Sequence, residues 1–222
     1  MRKIYFLTIA LVCFSFLSNA QIRKGSVYLG GDIGYSSQKE ERINPAGGMN
    51  NEGEQKSISF SPSIGMAVKE NVFAGIDFTY ANNESENLSS SNNYKTKALG
   101  AGIFLRRYFP VANRFYLFGQ VRLGYLDRES DMTSTFNADR TQEDSWSLQA
   151  GLFPGLSYNI YKSLYLEMGL NNLLQIGYEN IDRTETRTFG GTFSTERKSF
   201  FLQSSLANSW LNIGVRFILP KN

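Results

Sequence analysis

Apolar and polar residues alternate along this chain in stretches of about ten, and eight such stretches follow one another from residue 25 to the C-terminus. A period of two places successive side chains on opposite faces of a strand. The pattern predicts strands at Gly25–Ser36, Ser57–Val68, Val72–Tyr80, Thr96–Phe109, Phe115–Leu126, Ser145–Tyr158, Leu164–Tyr178 and Ser209–Leu219. The gaps between them alternate in length. Residues 69–71, 110–114 and 159–163 are tight, whereas 37–56, 81–95, 127–144 and 179–198 are long and polar. Short turns at one rim and long loops at the other predict an all-β fold, an eight-stranded antiparallel up-and-down transmembrane β-barrel.

One face of these strands is apolar throughout, running from Val27, Leu29, Ile33 and Tyr35 on the first strand to Leu211, Ile213, Val215 and Phe217 on the last. The other face carries Ser57, Ser59, Ser61 and Ser63, many glycines, and a few charges. A soluble lipocalin-like barrel turns its apolar face inward, and a membrane barrel turns it to lipid. The polar face decides between them. Water-facing surfaces are rich in Lys and Glu. Apart from Lys97, every lysine beyond the N-terminal segment falls in a predicted gap or terminus. Small residues with sparse charge suit a crowded lumen, so the apolar face is expected to meet lipid.

Aromatic residues gather at the strand ends. Tyr35, Tyr80, Tyr125 and Tyr178 close the four odd-numbered strands, and Trp146 opens the sixth at the same rim. Tyr108, Phe109, Phe115, Tyr158 and Tyr161 lie at the other rim. Amphipathic rings favour the membrane–water interface, so two aromatic girdles are expected. Pro62 and Pro154 each remove a ladder donor and predict local irregularity. Asn172 is expected at a lipid-facing position.

The N-terminus carries the features of an export signal: basic Arg2 and Lys3, apolar Ile4–Leu17, and Ser18-Asn19-Ala20 as a small-residue cleavage site. Cleavage near Ala20/Gln21 leaves one barrel domain over 21–222. Cys13 is the sole cysteine and lies in that segment, so neither a disulfide framework nor a thiolate metal site is expected. Without Arg2 and Lys3 the chain has 21 bases against 20 acids, which gives no electrostatic case for nucleic acid. There is no histidine. The acid–base machinery of barrel hydrolases and acyltransferases depends on one, so no catalytic residue and no enzyme activity are expected. Asp127, Glu129 and Asp131 alternate as calcium-loop ligands do, but Met132 stands where the glycine is required and Ala138 where the closing Glu is required. No metal or cofactor is expected.

The inward-phase charges form the candidate constellation: Asp32, Asp77 and Glu167 against Arg106, Arg122 and Arg216. Buried charges persist when paired, and eight strands leave an interior just wide enough for side chains. A lumen closed by ion pairs is the expected outcome, with a small polar pore as the functional alternative. Glu167 and Arg216, at similar heights on the last two strands, are expected to meet.

Gly102-Ile103-Phe104-Leu105-Arg106-Arg107-Tyr108-Phe109-Pro110, followed by Phe115-Tyr116-Leu117-Phe118-Gly119-Gln120-Val121-Arg122-Leu123-Gly124-Tyr125, resembles the central hairpin of the outer-membrane β-barrel domain family common in Bacteroidota. The resemblance spans essentially the mature chain and is similar to the OmpA/OmpX/OmpW kind of barrel. It implies an outer-membrane location and the eight-stranded fold without fixing an activity. No peptidoglycan-binding domain follows Asn222, so the anchoring role of longer relatives is not expected. The leading expectation is a non-enzymatic integral outer-membrane protein, structural or interactive. Its partners would be outer-membrane lipid and, through loops 37–56, 81–95, 127–144 and 179–198, extracellular protein or glycan. The alternatives are a narrow channel for small solutes and a soluble periplasmic ligand binder.

Overall fold

The computed structural model describes residues 22–42, 51–87, 92–134, 139–170, 173–204 and 211–221. The expected export segment lies outside them. Ten strands follow one another: β1 Val27–Arg42, β2 Asn51–Lys69, β3 Val72–Asn87, β4 Asn92–Ala112, β5 Phe115–Ser134, β6 Asp139–Tyr161, β7 Leu164–Leu170, β8 Leu174–Arg187, β9 Gly191–Gln203 and β10 Leu211–Leu219. All pairings are antiparallel, and β1 pairs with β10 from Val27↔Leu219 to Asp32↔Gly214. The result is a closed antiparallel eight-strand barrel, in which β7 with β8 make one wall strand and β9 with β10 another. Closure lies at the tight-turn end. Above Asp32, among the described residues, β1 pairs with β2 alone and β9 with β8 alone.

The split of the seventh wall strand corrects the continuous strand expected over Leu164–Tyr178. β6 pairs with β8 down to Leu152↔Leu174 and with β7 from Gly155↔Gly169, so the β7–β8 side holds two extra residues. An even number of extra residues keeps the two faces in phase. Pro154 sits at this change of partner, where its missing N–H costs no ladder bond. The β2–β3 ladder likewise skips Ser61 and Pro62 between Phe60↔Tyr80 and Ser63↔Asp77. Asn172 lies outside the described residues.

The four long gaps are also corrected. Most of their residues are strand: β3 and β4 stay paired up to Asn87↔Asn92, and β5 and β6 up to Ser134↔Asp139. β3 runs seven residues beyond Tyr80, about 20 Å of additional strand. The wall therefore rises past the apolar band as a polar crown. Its cations are mostly paired, as in Lys56–Glu54 at 2.9 Å and Lys198–Glu196 at 2.8 Å. Arg140 grips Asp131 and holds that carboxyl below its usual range, so the alternating acids of this segment serve a hairpin salt bridge. Exposed pairs of this kind contribute roughly 0.2–1 kcal/mol each.

At the opposite rim, each of the three tight turns has a bulge beside it and one non-glycine residue in the left-handed region. These residues are Asn71 at φ 59°, Arg114 at φ 84° and Lys162 at φ 41°. Asn tolerates that conformation, whereas a side chain such as Arg or Lys costs roughly 1–2 kcal/mol there. Asn71 also fixes the chain entry. Its Oδ1 accepts from the Ile22 N–H at 2.9 Å, and its own N–H donates to the Ile22 carbonyl at 3.0 Å.

The apolar rows point outward: Ile76, Leu123 and Val215 are 45%, 53% and 44% exposed in the isolated chain. Replacing any of them with Arg should cost roughly 2–4 kcal/mol in a bilayer, read by urea unfolding in lipid. Gly102→Leu should destabilise by overpacking instead, because a Cβ there would stand 2.7 Å from Arg122 Nη2. Unchanged stability for all three Arg variants would mean the faces are reversed.

Candidate functional site

The lumen is built in layers. At the tight-turn end the inward side chains are aromatic, a layer that sequence reasoning missed. Tyr28, Phe73, Phe104, Tyr108, Tyr116, Phe118 and Tyr165 are all at most 7% exposed and pack with Ile22, Ala67 and Ile218. Ring centroids lie 5.5 Å apart for Tyr28–Phe73, 5.8 Å for Phe73–Tyr108 and 5.9 Å for Tyr116–Tyr165. Contacts at this range in tilted and edge-on geometry add to the area they bury. Tyr108 is thus corrected from the girdle to the interior, with 1% of its surface exposed. It lies one residue out of phase with Arg107 and Phe109, which face outward.

Above the rings sits the charge layer. Arg106 stacks over Phe118 at 4.5 Å and Tyr28 at 5.2 Å. Its Nε donates to Gln120 Oε1 at 2.8 Å and its Nη1 to Glu167 Oε2 at 2.5 Å. Tyr108 Oη donates to the other Glu167 oxygen at 2.5 Å and accepts from Arg106 Nη1 at 3.3 Å. Arg216 Nε lies 3.3 Å from Glu167 Oε2. The Arg216 hydrogen bonds run from Nη2 to Asp32 Oδ1 and from Nη1 to the Gly31 carbonyl, both at 2.6 Å. Arg106, Glu167, Arg216 and Asp32 therefore form one chain across the lumen. Arg122 and Asp77 form a second unit, forked through Nε at 2.8 and 2.9 Å and Nη2 at 2.6 Å. The six charges sum to zero, as a poorly solvated interior demands. Gly214, the cross-strand partner of Glu167, leaves room for the cluster, since a Cβ there would collide with Asp32 and Arg216.

Above the charges the lumen opens into a cavity of about 880 Å³. Its floor includes Arg106, Glu167 and Arg216, and its walls reach Gln38 and Gln55, beyond the level of Tyr35. Serines 57, 59, 61 and 63 line one side. Across β6, β8 and β9 an amide ladder runs from Gln203 to Gln175 at 2.9 Å, on to Gln149, and from there to Ser147 at 2.7 Å. The remaining girdle residues stand on the outer face. Tyr125, Trp146 and Tyr178 adjoin at 6.3 and 5.6 Å, and Phe115 and Tyr158 at 4.6 Å. Tyr35, Tyr80, Phe109 and Tyr161 are exposed. Among the described residues no group of His, Cys, Asp and Glu could hold a metal ion.

The model of the outer membrane protein beta-barrel domain family matches residues 6–196, and the chain belongs to that family. Its outward apolar rows and its membership exclude the soluble barrel considered as an alternative. No curated protein matches the sequence. Among solved structures it is similar to the outer membrane protein OprG from Pseudomonas aeruginosa, at 13% identity over 90% of this chain and 98% of that one, with a TM-score of 0.49. It is similar to Neisserial surface protein A, at 16% identity over 86% and 96%, TM-score 0.40. A third likeness is a major outer membrane protein from Thermus thermophilus, at 10% identity over 90% and 100%, TM-score 0.43.

Glu167 is 2% exposed and faces two arginines and a tyrosine hydroxyl. Glu167→Gln should lower unfolding free energy by about 3–5 kcal/mol, because it leaves positive charge uncompensated. Glu167→Gln with Arg106→Met should recover part of that loss through coupling. Additive losses in the double-mutant cycle would contradict a direct pair.

Proposed function

We propose that this outer membrane β-barrel protein is a non-enzymatic, sealed barrel whose role is structural or interactive, presented through its polar crown. The observation that carries the reading is the two-layer closure at the tight-turn end. A solute entering the cavity meets Arg106, Glu167 and Arg216 together with Phe104 and Phe118, the upper members of a buried aromatic layer. Opening such a plug means separating buried ions and closely packed rings together. The lack of histidine and the neutral, mutually ion-paired charge set support a non-enzymatic role. By the usual polarity of such barrels the tight turns face the periplasm and the crown faces outward. The crown is the surface offered to extracellular protein or glycan.

The cavity favours a second reading, a narrow conduit for small solutes, because it already occupies the crown side of the lumen. Planar-bilayer recording separates the two. The purified wild-type barrel should give no unitary current steps at moderate voltage. Reproducible steps of fixed amplitude would replace the sealed barrel with the conduit. A tag inserted after Gly190, in the turn between β8 and β9, should bind antibody on intact cells. Labelling only after lysis would reverse the orientation.

A further inference from the structure

The tight-turn rim differs from the crown in its charge. Arg23, Lys24, Lys69, Arg107, Arg114, Lys162 and Lys221 encircle it, distributed over the two termini, all three tight turns and the lower end of β4. All seven are exposed, and among the described residues none takes part in an ion pair. Glu70 is the single acidic side chain described at this rim. In the crown most cations are paired: Lys56, Lys95, Arg128, Arg140, Arg183, Arg187 and Lys198 each lie against a carboxylate, and among the described residues Lys39, Lys97 and Arg197 do not.

A second observation shows that these cations are placed against a local preference. Each of the three tight turns has one left-handed position, the second turn residue in the first two and the first in the third. Asn71 fills it in the first, and Arg114 and Lys162 fill it in the other two. Side chains with a Cβ and no local hydrogen-bonding group are disfavoured there, and strain retained at a surface turn points to use of the side chain. A third observation sets the depth. Arg107 lies over Phe109 at 4.9 Å and the Lys162 ammonium over Tyr161 at 5.2 Å, both on the outward aromatic row. Cations beside interfacial rings sit at the level of lipid headgroups, with their stems along the apolar surface.

We propose that this rim is a binding collar for anionic phospholipid headgroups of the leaflet that surrounds it. An unpaired basic ring at headgroup depth matches their phosphates in charge and in geometry, since Arg and Lys donate to phosphate oxygens and each cation near an anionic surface adds attraction. The collar does not depend on whether the lumen conducts.

The test counts lipid retained by the barrel. The full mature protein is placed in nanodiscs holding equal phosphatidylglycerol and phosphatidylcholine, washed with mild detergent, and its bound lipid measured by mass spectrometry. Phosphatidylglycerol should be enriched roughly five-fold, the ratio one cation near such a surface supplies, and the enrichment should fall with salt. The variant Lys69→Gln/Arg107→Gln/Arg114→Asn/Lys162→Asn should lose it. Asn suits the left-handed turns, so Arg114→Asn/Lys162→Asn alone should fold at least as stably as wild type while retaining less phosphatidylglycerol. Equal retention of the two lipids by wild type would overturn the collar. So would enrichment that survives in the fourfold variant. Pelleting of the wild type, but not the variant, with purified peptidoglycan in the absence of lipid enrichment would assign the ring to a different polyanion.

Discussion

Glu167 is the residue on which the interior of this barrel depends. A spanning wall must satisfy its own backbone hydrogen bonds, so the sheet closes, and an eight-stranded closure leaves a lumen that side chains fill. The charges inside it then have little water to solvate them. One carboxylate receives Arg106 from β4, Tyr108 from the same strand and Arg216 from β10, and so joins opposite walls through ion pairs and a hydroxyl. The aromatic layer beneath shields it, and Arg106 caps that layer as much as it pairs with the acid. Packing and electrostatics at this level are one structure, in which loss of the acid would leave two guanidiniums facing each other across apolar rings.

The layering gives the barrel a direction. Rings and ion pairs occupy the tight-turn half, and serines and glutamines line a cavity leading to the crown. The outer surface is polarised as well. Most crown cations lie against a neighbouring carboxylate, while among the described residues those at the tight-turn rim do not. A molecule built this way presents a largely self-compensated surface at one rim and an open positive charge at the other, with the rings and ion pairs between them.

How much of this was legible follows from where alternation survives. In the middle of the wall one face is apolar and the other small or polar, so the period-two signal is clean and the strands, their outward rows and the six inward charges could be read. Near the tight turns both faces are aromatic or apolar, as in Tyr108-Phe109 and Phe115-Tyr116-Leu117-Phe118. There alternation vanishes, and Tyr108 looked like a girdle residue when it was a lumen one. In the crown both faces are polar, as over Ala81–Asn87, so paired strand resembled loop. The pairing of Glu167 with Arg106 was hidden for another reason. Contact across a lumen is set by height and curvature, whereas sequence reasoning offered only the neighbouring strand and so found Arg216. The division of the seventh wall strand into β7 and β8 had one sequence sign, Pro154 on the strand beside it, which marks an irregularity but not a change of partner.

In a sealed barrel of this kind the lumen is closed below the charge layer and accessible above it. Cys13 is the only cysteine and lies outside the described residues, so single cysteines can be placed in the barrel wall without a competing thiol there. Ser59 lines the cavity, whereas Ser157 is 1% exposed at the level of the rings. A membrane-impermeant maleimide added to intact cells should modify Ser59→Cys readily and leave Ser157→Cys unmodified until the barrel is unfolded. Modification of the two at comparable rates in the native barrel would contradict the seal.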